Sequence, residues 1–120
     1  MEKQQNQFDE TFDVLVVGSG CGGLTAALTA DIASPSKVLV VEKSHLIGGT
    51  SATSGGVIWI PDNHLAKEKG ANDSISEAKE YLKATIPADE FNEPLIDAYL
   101  DQGPKMVKFM EENTDAKYTS

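Results

Sequence analysis

Cysteine is nearly missing from this sequence. The single one, Cys21, excludes an internal disulfide, and with no CxxC partner or histidine cluster beside it, it marks no metal site. A reducing cytosol fits that usage, so a cytoplasmic location is the expectation. Basic residues are also few, ten against nineteen acidic ones, for a net charge of −9 and a pI near 4.5. Such a balance argues against a nucleic-acid partner or a polybasic membrane patch, and reads first as a solvated acidic face. Long apolar runs are lacking as well. No window reaches the roughly 18 consecutive apolar residues of a membrane span, and the first dozen residues are polar, unlike a signal peptide or an anchor. Internal repeats and low-complexity tracts are absent.

What is present suits a folded α/β segment. Hydrophobic residues make up 40% and charged ones 24%, enough to build a core and too apolar for wholesale disorder. Residues 1–11 show no apolar period and read as a flexible tail, with order expected from Phe12. Val14 to Val17 is a short β-branched run apolar on both faces, as a central parallel strand requires. From Gly22 to Ala33 small and apolar residues recur at helical spacing until Pro35 forbids continuation. Lys37 to Val41 reads as a second buried strand. Strand, turn, helix and strand within about thirty residues make a right-handed βαβ crossover.

Beyond it, Gly48 to Gly56 is dominated by Gly, Ser, Thr and Ala, and Val57 to Ile60 is apolar. Ser74 and Glu77 have capping-box spacing, and Ile75, Ala78, Tyr81, Leu82 and Ile86 mark one helix face that Pro87 ends. Two further short helices are expected, Asn92 to Leu100 and Pro104 to Glu111, broken at Gly103-Pro104.

The turn of the crossover reads Gly18-Ser19-Gly20-Cys21-Gly22-Gly23, which fits G-x-G-x-x-G. Alone that pattern is weak, but its place between strand and helix gives each glycine a task. Gly18 permits the tight turn, Gly20 lets backbone approach a pyrophosphate, and Gly23 allows close helix-to-strand packing. Diphosphate would then rest on N–H groups at the helix start, with no basic side chain needed. Glu42, nineteen positions after Gly23, stands where an acid accepts hydrogen bonds from the adenosine ribose and repels a 2′-phosphate, favouring FAD or NAD over NADP. Cys21 reads as a small residue tolerated beside the phosphates.

Gly48-Gly49-Thr50-Ser51-Ala52-Thr53-Ser54-Gly55-Gly56 is a second stretch of bare backbone and small hydroxyls that suits a large ligand, and FAD is long enough to need both segments. VVGSGCGGLTAALTA, VLVVEKSHLIGGTSATSGG and IWIPDN together resemble the FAD-binding N-terminus of the fumarate reductase and succinate dehydrogenase flavoprotein superfamily. Trp59-Ile60-Pro61 and the segment around Gly103-Pro104 are most similar to 3-ketosteroid Δ1-dehydrogenases. The likeness runs from about Phe12 to Met110.

The resemblance implies a Rossmann-like βαβ FAD-binding unit, an incomplete parallel sheet followed by helices, with residues 12–120 as the N-terminal part of the FAD-binding domain and the remainder of an enzyme chain beyond it. It places Gly18, Gly20 and Gly23 at the pyrophosphate, with Ser19, Cys21 and Gly22 of the same turn counted among the cofactor-binding residues, Glu42 at the ribose, and Lys43 beside the adenosine. Gly49, Thr50 and Ser51 would reach the phosphates and ribityl chain, and Ser54, Gly55 and Gly56 the isoalloxazine. Members that attach flavin covalently place a histidine where Gly49 stands, so non-covalent FAD is expected. His45 lies too early for that role and reads as a surface residue. Trp59 reads as strand core, with the edge of an active site as the other reading.

In the resembled enzymes one tyrosine polarises the C3 carbonyl, another takes a proton from C2, and a hydride passes from C1 to flavin N5, with a separate electron acceptor. Tyr81, Tyr99 and Tyr118 sit in no motif for those roles, and no catalytic residue is assigned within the chain. The alternatives are a fumarate-type flavoprotein acting on a small dicarboxylate, and a non-catalytic nucleotide-binding fragment. Val57 in place of a glycine, Asp62 in place of Asn and the Ser34-Pro35-Ser36 turn depart from the steroid-enzyme pattern and bear on the substrate.

Overall fold

The computed structural model describes residues 9–120. The expected tail lies mostly outside the described residues. Two compact units divide the chain after Val57.

In the first unit, β1 (Val14–Val17), α1 (Cys21–Ala33) and β2 (Val38–Val41) form the crossover, followed by a one-turn helix α2 (Gly49–Thr53). The strands pair in parallel with Val14 opposite Val38 and Val17 opposite Val41, and the Gly18 N–H donates to the Val41 carbonyl at 2.7 Å. Observed boundaries match the sequence reading to within one residue. Among the described residues the sheet has two strands, so β1 is paired on one side only. Helix α1 packs on both strands, yet its one buried residue is Ala27, and Leu15 and Val17 remain 60% and 79% exposed. At the entry to β1 the Asp13 N–H donates to the Lys37 carbonyl at 2.9 Å and the Lys37 N–H to Asp13 Oδ2 at 2.8 Å, while Lys37 Nζ lies 2.9 Å from Glu10 Oε2 and 4.5 Å above the Phe12 ring.

The second unit holds α3 (His64–Glu68), α4 (Ile75–Thr85) and α5 (Glu93–Asn113). Each start is capped by a side chain. Asn63 accepts from the Ala66 N–H, Ser74 from the Glu77 N–H, and Asn92 from the Leu95 N–H. Lys79 of α4 bridges to Asp97 at 2.6 Å and Glu93 at 2.8 Å on α5, and these carboxylates raise its pKa. His64 Nε2 meets Glu111 Oε2 at 2.8 Å, tying α3 to α5. Helix α3 was not expected; five residues give too little periodicity to read.

Two expectations are corrected here. The helices expected at Asn92 to Leu100 and Pro104 to Glu111 are one helix, α5, with Pro104 inside it. Proline removes the N–H that would reach the Leu100 carbonyl, a cost of about 3 kcal/mol. However, Leu100, Gly103, Val107 and Met110 form a single buried stripe through the proline. Burying Leu, Val and Met side chains contributes roughly 1.5–3 kcal/mol each, so packing outweighs the break.

Trp59 is not strand core. Residues 57–60 form no strand, and Trp59 is 48% exposed. Its ring meets Tyr81 edge-on at 5.7 Å and stacks with Tyr99 at 6.4 Å, while the Tyr99 hydroxyl donates to the Trp59 carbonyl. Partial burial raises the Tyr99 pKa. Asp62 occupies the left-handed region at φ 59°, a conformation that Asn and Asp tolerate best among side-chain-bearing residues.

Candidate dinucleotide site

The strand register creates the site. With Val17 opposite Val41, the next residues of the two strands bring the glycine turn beside Glu42. Glu42 Oε2 accepts the Ser19 N–H at 2.9 Å and the Ser19 hydroxyl at 2.7 Å, and Oε1 accepts the Ser44 N–H at 2.9 Å. These donors hold the Glu42 carboxyl down to about 2, with the Ser19 hydroxyl the largest cause and the Ser19 and Ser44 N–H groups following. Glu42 is therefore an ionised acceptor across the physiological range. A carboxylate offers about four lone-pair sites, so Oε1 keeps capacity for one further donor.

The turn itself is cleared of side chains where a ligand would approach. A Cβ added at Gly20 or Gly22 would meet nothing within 4 Å. Gly18 turns the chain at φ 98°, where a side chain would be strained. Gly23 faces the opposite constraint: a Cβ there would lie 2.0 Å from the Gly18 carbonyl oxygen and 3.4 Å from Val16 Cγ1. Helix α1 begins at Cys21 with Gly20 as an uncapped N-cap, and its first intrahelical donor is the Leu24 N–H, to the Gly20 carbonyl at 2.9 Å. The N–H groups of Cys21, Gly22 and Gly23 precede that bond, leaving donors and the positive dipole end for an anion. Cys21 is an exposed free thiol in this first turn.

The second glycine segment is brought against the first. The Gly48 N–H donates to the Ser19 hydroxyl at 3.0 Å, and a Cβ on Gly49 would lie 3.5 Å from Gly20 Cα. Part of this segment is helical: Gly49, Thr50 and Ser51 begin α2, whose Ala52 N–H bonds the Gly48 carbonyl at 3.2 Å. Hydroxyls of Thr53 and Ser54 fold back onto the carbonyls of Thr50 and Ser51, and the Gly56 N–H donates to Ser54 Oγ at 3.1 Å. Gly55 and Gly56 have open space where a Cβ would stand. Lys43 and His45 are exposed beside the acid. Among the described residues no group of three His, Cys, Asp or Glu side chains is placed to hold a metal ion.

Ser19 is the residue whose part the sequence understated. It is 1% exposed, with its hydroxyl turned to Glu42 and Gly48. Its partners lie 23 and 29 residues away, and no local pattern announces them.

A parallel crossover whose turn is stripped to backbone at a helix start, with an ionised acid at the end of the second strand, defines a dinucleotide-binding α/β domain. The cleared turn fits a diphosphate and the acid fits a ribose. The FAD binding domain family matches residues 13–120, and the chain belongs to that family.

Curated relatives include the 4-oxocyclohexanecarboxylate 2-dehydrogenase of Sinomonas cyclohexanicum, 48% identical over 101 residues, which are 84% of this chain and 17% of that protein. The 3-oxosteroid 1-dehydrogenase of Mycolicibacterium smegmatis is 45% identical over 108 residues, 90% of this chain and 19% of that protein. Among solved structures, the 3-ketosteroid Δ1-dehydrogenase of Sterolibacterium denitrificans, in complex with 1,4-androstadiene-3,17-dione, superposes with a TM-score of 0.73 at 45% identity. That match covers 85% of this chain and 17% of the other. The chain thus spans less than a fifth of the length of these relatives. No helix among the described residues is long and apolar enough to cross a membrane.

Proposed function

We propose that the chain supplies the ADP-binding portion of an FAD-dependent dehydrogenase that introduces a carbon–carbon double bond beside a ring ketone, with the A ring of a 3-ketosteroid as substrate. The observation that carries the cofactor part is the ionised Glu42 carboxylate set against a glycine turn with room for a diphosphate. In this reading Gly18, Gly20, Cys21, Gly22 and Gly23 present backbone to the pyrophosphate. Glu42 accepts a ribose hydroxyl on Oε1, and Lys43 lies beside the adenosine. Gly49, Thr50 and Ser51 follow the phosphates and ribityl chain, and Ser54, Gly55 and Gly56 approach the ring system. Bound FAD supplies the acceptor for a hydride leaving the substrate carbon.

Non-covalent attachment is supported by Gly49, which offers no side chain where covalent members carry histidine. The steroid is supported by relatives named for 3-oxosteroids and by the steroid-bound solved structure. A small cyclic keto acid is the second reading, favoured by the 48% identical relative named for 4-oxocyclohexanecarboxylate. Both names describe dehydrogenation next to a ring ketone, so the reaction class is shared. A cytoplasmic location, supported by the one unpaired cysteine, is checked by cell fractionation; recovery with membranes or in the medium refutes it.

The test uses the full-length protein. It is expected to purify with a flavin spectrum, to release FAD into the supernatant on acid denaturation, and to desaturate a 3-ketosteroid with an artificial electron-accepting dye. Turnover of 4-oxocyclohexanecarboxylate alone selects the second reading. Absence of flavin from refolded, FAD-supplemented protein refutes both.

A further inference from the structure

A buried hydroxyl is costly unless satisfied, and Ser19 Oγ is satisfied by two segments distant in sequence. It donates to Glu42 Oε2 at 2.7 Å and accepts from the Gly48 N–H at 3.0 Å, while the Ser19 N–H reaches the same Oε2 at 2.9 Å. The two donors on Oε2 remove the carboxylate's freedom to rotate. They leave Oε1, which takes the Ser44 N–H, as the oxygen with capacity for a ligand hydroxyl. The Gly48 bond sits one residue before α2, at a backbone φ of 99°. Pinning that N–H therefore fixes where the second glycine segment meets the first.

We propose that Ser19 is a positioning residue for nucleotide binding: its buried hydroxyl orients the Glu42 carboxylate for the ribose and, through the Gly48 N–H, docks the second glycine segment against the pyrophosphate turn. The inference rests on the reading of Glu42 as the ribose acceptor. It makes two contact regions of one ligand a single preorganised unit, so that one hydroxyl governs both.

The experiment is a double-mutant cycle in the full-length apoprotein, with the FAD dissociation constant read from flavin fluorescence during titration. Wild type, Ser19→Ala, Glu42→Gln and the double variant are compared. Ser19→Ala is expected to weaken FAD binding about tenfold or more, the scale of a hydrogen bond to a charged group. The double variant should be weaker than the worse single one yet fall short of the product of the two losses, because Ser19 acts partly through Glu42 and partly through Gly48.

A pH profile separates positioning from a purely structural role. The Ser19 hydroxyl is the largest cause of the low Glu42 pKa, so as pH falls from 5 toward 3 Ser19→Ala should lose affinity at a higher pH than the wild type. Ser19→Cys, with a weak buried donor of similar size, should bind with intermediate affinity. A Ser19→Ala affinity within twofold of wild type, multiplicative losses in the double variant, or parallel pH profiles would overturn the inference. So would loss of the folded state in both Ser19 variants, which would make Ser19 a structural residue. Failure of the wild-type apoprotein to bind FAD is a separate outcome; it removes the cofactor reading and this inference with it.

Discussion

Gly20 and Gly23 stand three residues apart in one turn, yet alanine at each should fail in a different way. A Cβ on Gly23 would lie 2.0 Å from the Gly18 carbonyl oxygen and 3.1 Å from its carbon. Ordinary carbon–oxygen contacts begin at about 3.3 Å, so the start of α1 and the end of β1 must separate by roughly 1.3 Å. Both partners are backbone, and no rotamer change relieves the clash. Overpacking of a core costs roughly 1–3 kcal/mol where side chains can shift, so about 3 kcal/mol is a lower expectation here, a factor of roughly a hundred in the folded ratio.

At Gly20, by contrast, the backbone is extended at φ −66° and ψ 172°, and an added Cβ meets no atom. Gly20→Ala should therefore keep wild-type stability and lose FAD affinity, because its methyl fills the space left for the diphosphate. Gly22→Ala, equally open and inside the helix, controls for the effect of a methyl on stability alone and should leave it unchanged or improved by up to about 1 kcal/mol. The assay is denaturant unfolding of the three variants in the full-length apoprotein, followed by FAD titration. A Gly23→Ala protein as stable as wild type, or a Gly20→Ala protein that binds FAD normally, would refute the geometric reasoning.

Other perturbations test the second unit and the acid. Pro104→Ala restores the N–H that the Leu100 carbonyl lacks and should stabilise α5 by about 1–3 kcal/mol; a lower unfolding midpoint would show that the proline is itself a packing element. Ser74→Ala removes the cap on the Glu77 N–H and should cost about 1 kcal/mol, measured as a shift in denaturation midpoint without change in slope. Leu100→Ala, at a side chain 1% exposed, should cost about 2–5 kcal/mol, and a loss below about 1 kcal/mol would contradict the central place of Leu100 in the helical core. The Glu42 pKa is depressed from 4.5 to about 2. Its contribution to stability is therefore complete above pH 4.5 and lost as pH falls toward 2. Subtracting Glu42→Gln from wild type across pH 7 to 3 should give a difference that is flat to about pH 5 and then shrinks; shrinkage already between pH 7 and 6 would contradict the assignment.

The amino-acid order alone determined the crossover. β1, α1 and β2 are each written in contiguous residues: two runs of Val and Leu, a small-residue helix between them, glycines at the turn and Pro35 at the stop. Their hydrophobic period and turn chemistry act over a few residues, so neighbours suffice to encode them. The same holds for the α4 cap at Ser74 and for the acid after β2.

Tertiary packing decided what distant residues share. Pro104 read as a break because proline is locally unfavourable in a helix, and only the buried stripe from Leu100 to Met110, closed against Ile60 where Gly103 has no Cβ, carries α5 through it. Trp59 read as core from its apolar neighbours, but burial depends on what the rest of the unit covers. Ser19 read as one more small residue in a glycine turn; its role came from parallel strand pairing, which sets Glu42 beside it, and from the return of Gly48 after a further six residues. Local preferences select the elements, whereas burial and hydrogen-bond satisfaction are properties of segments meeting in space.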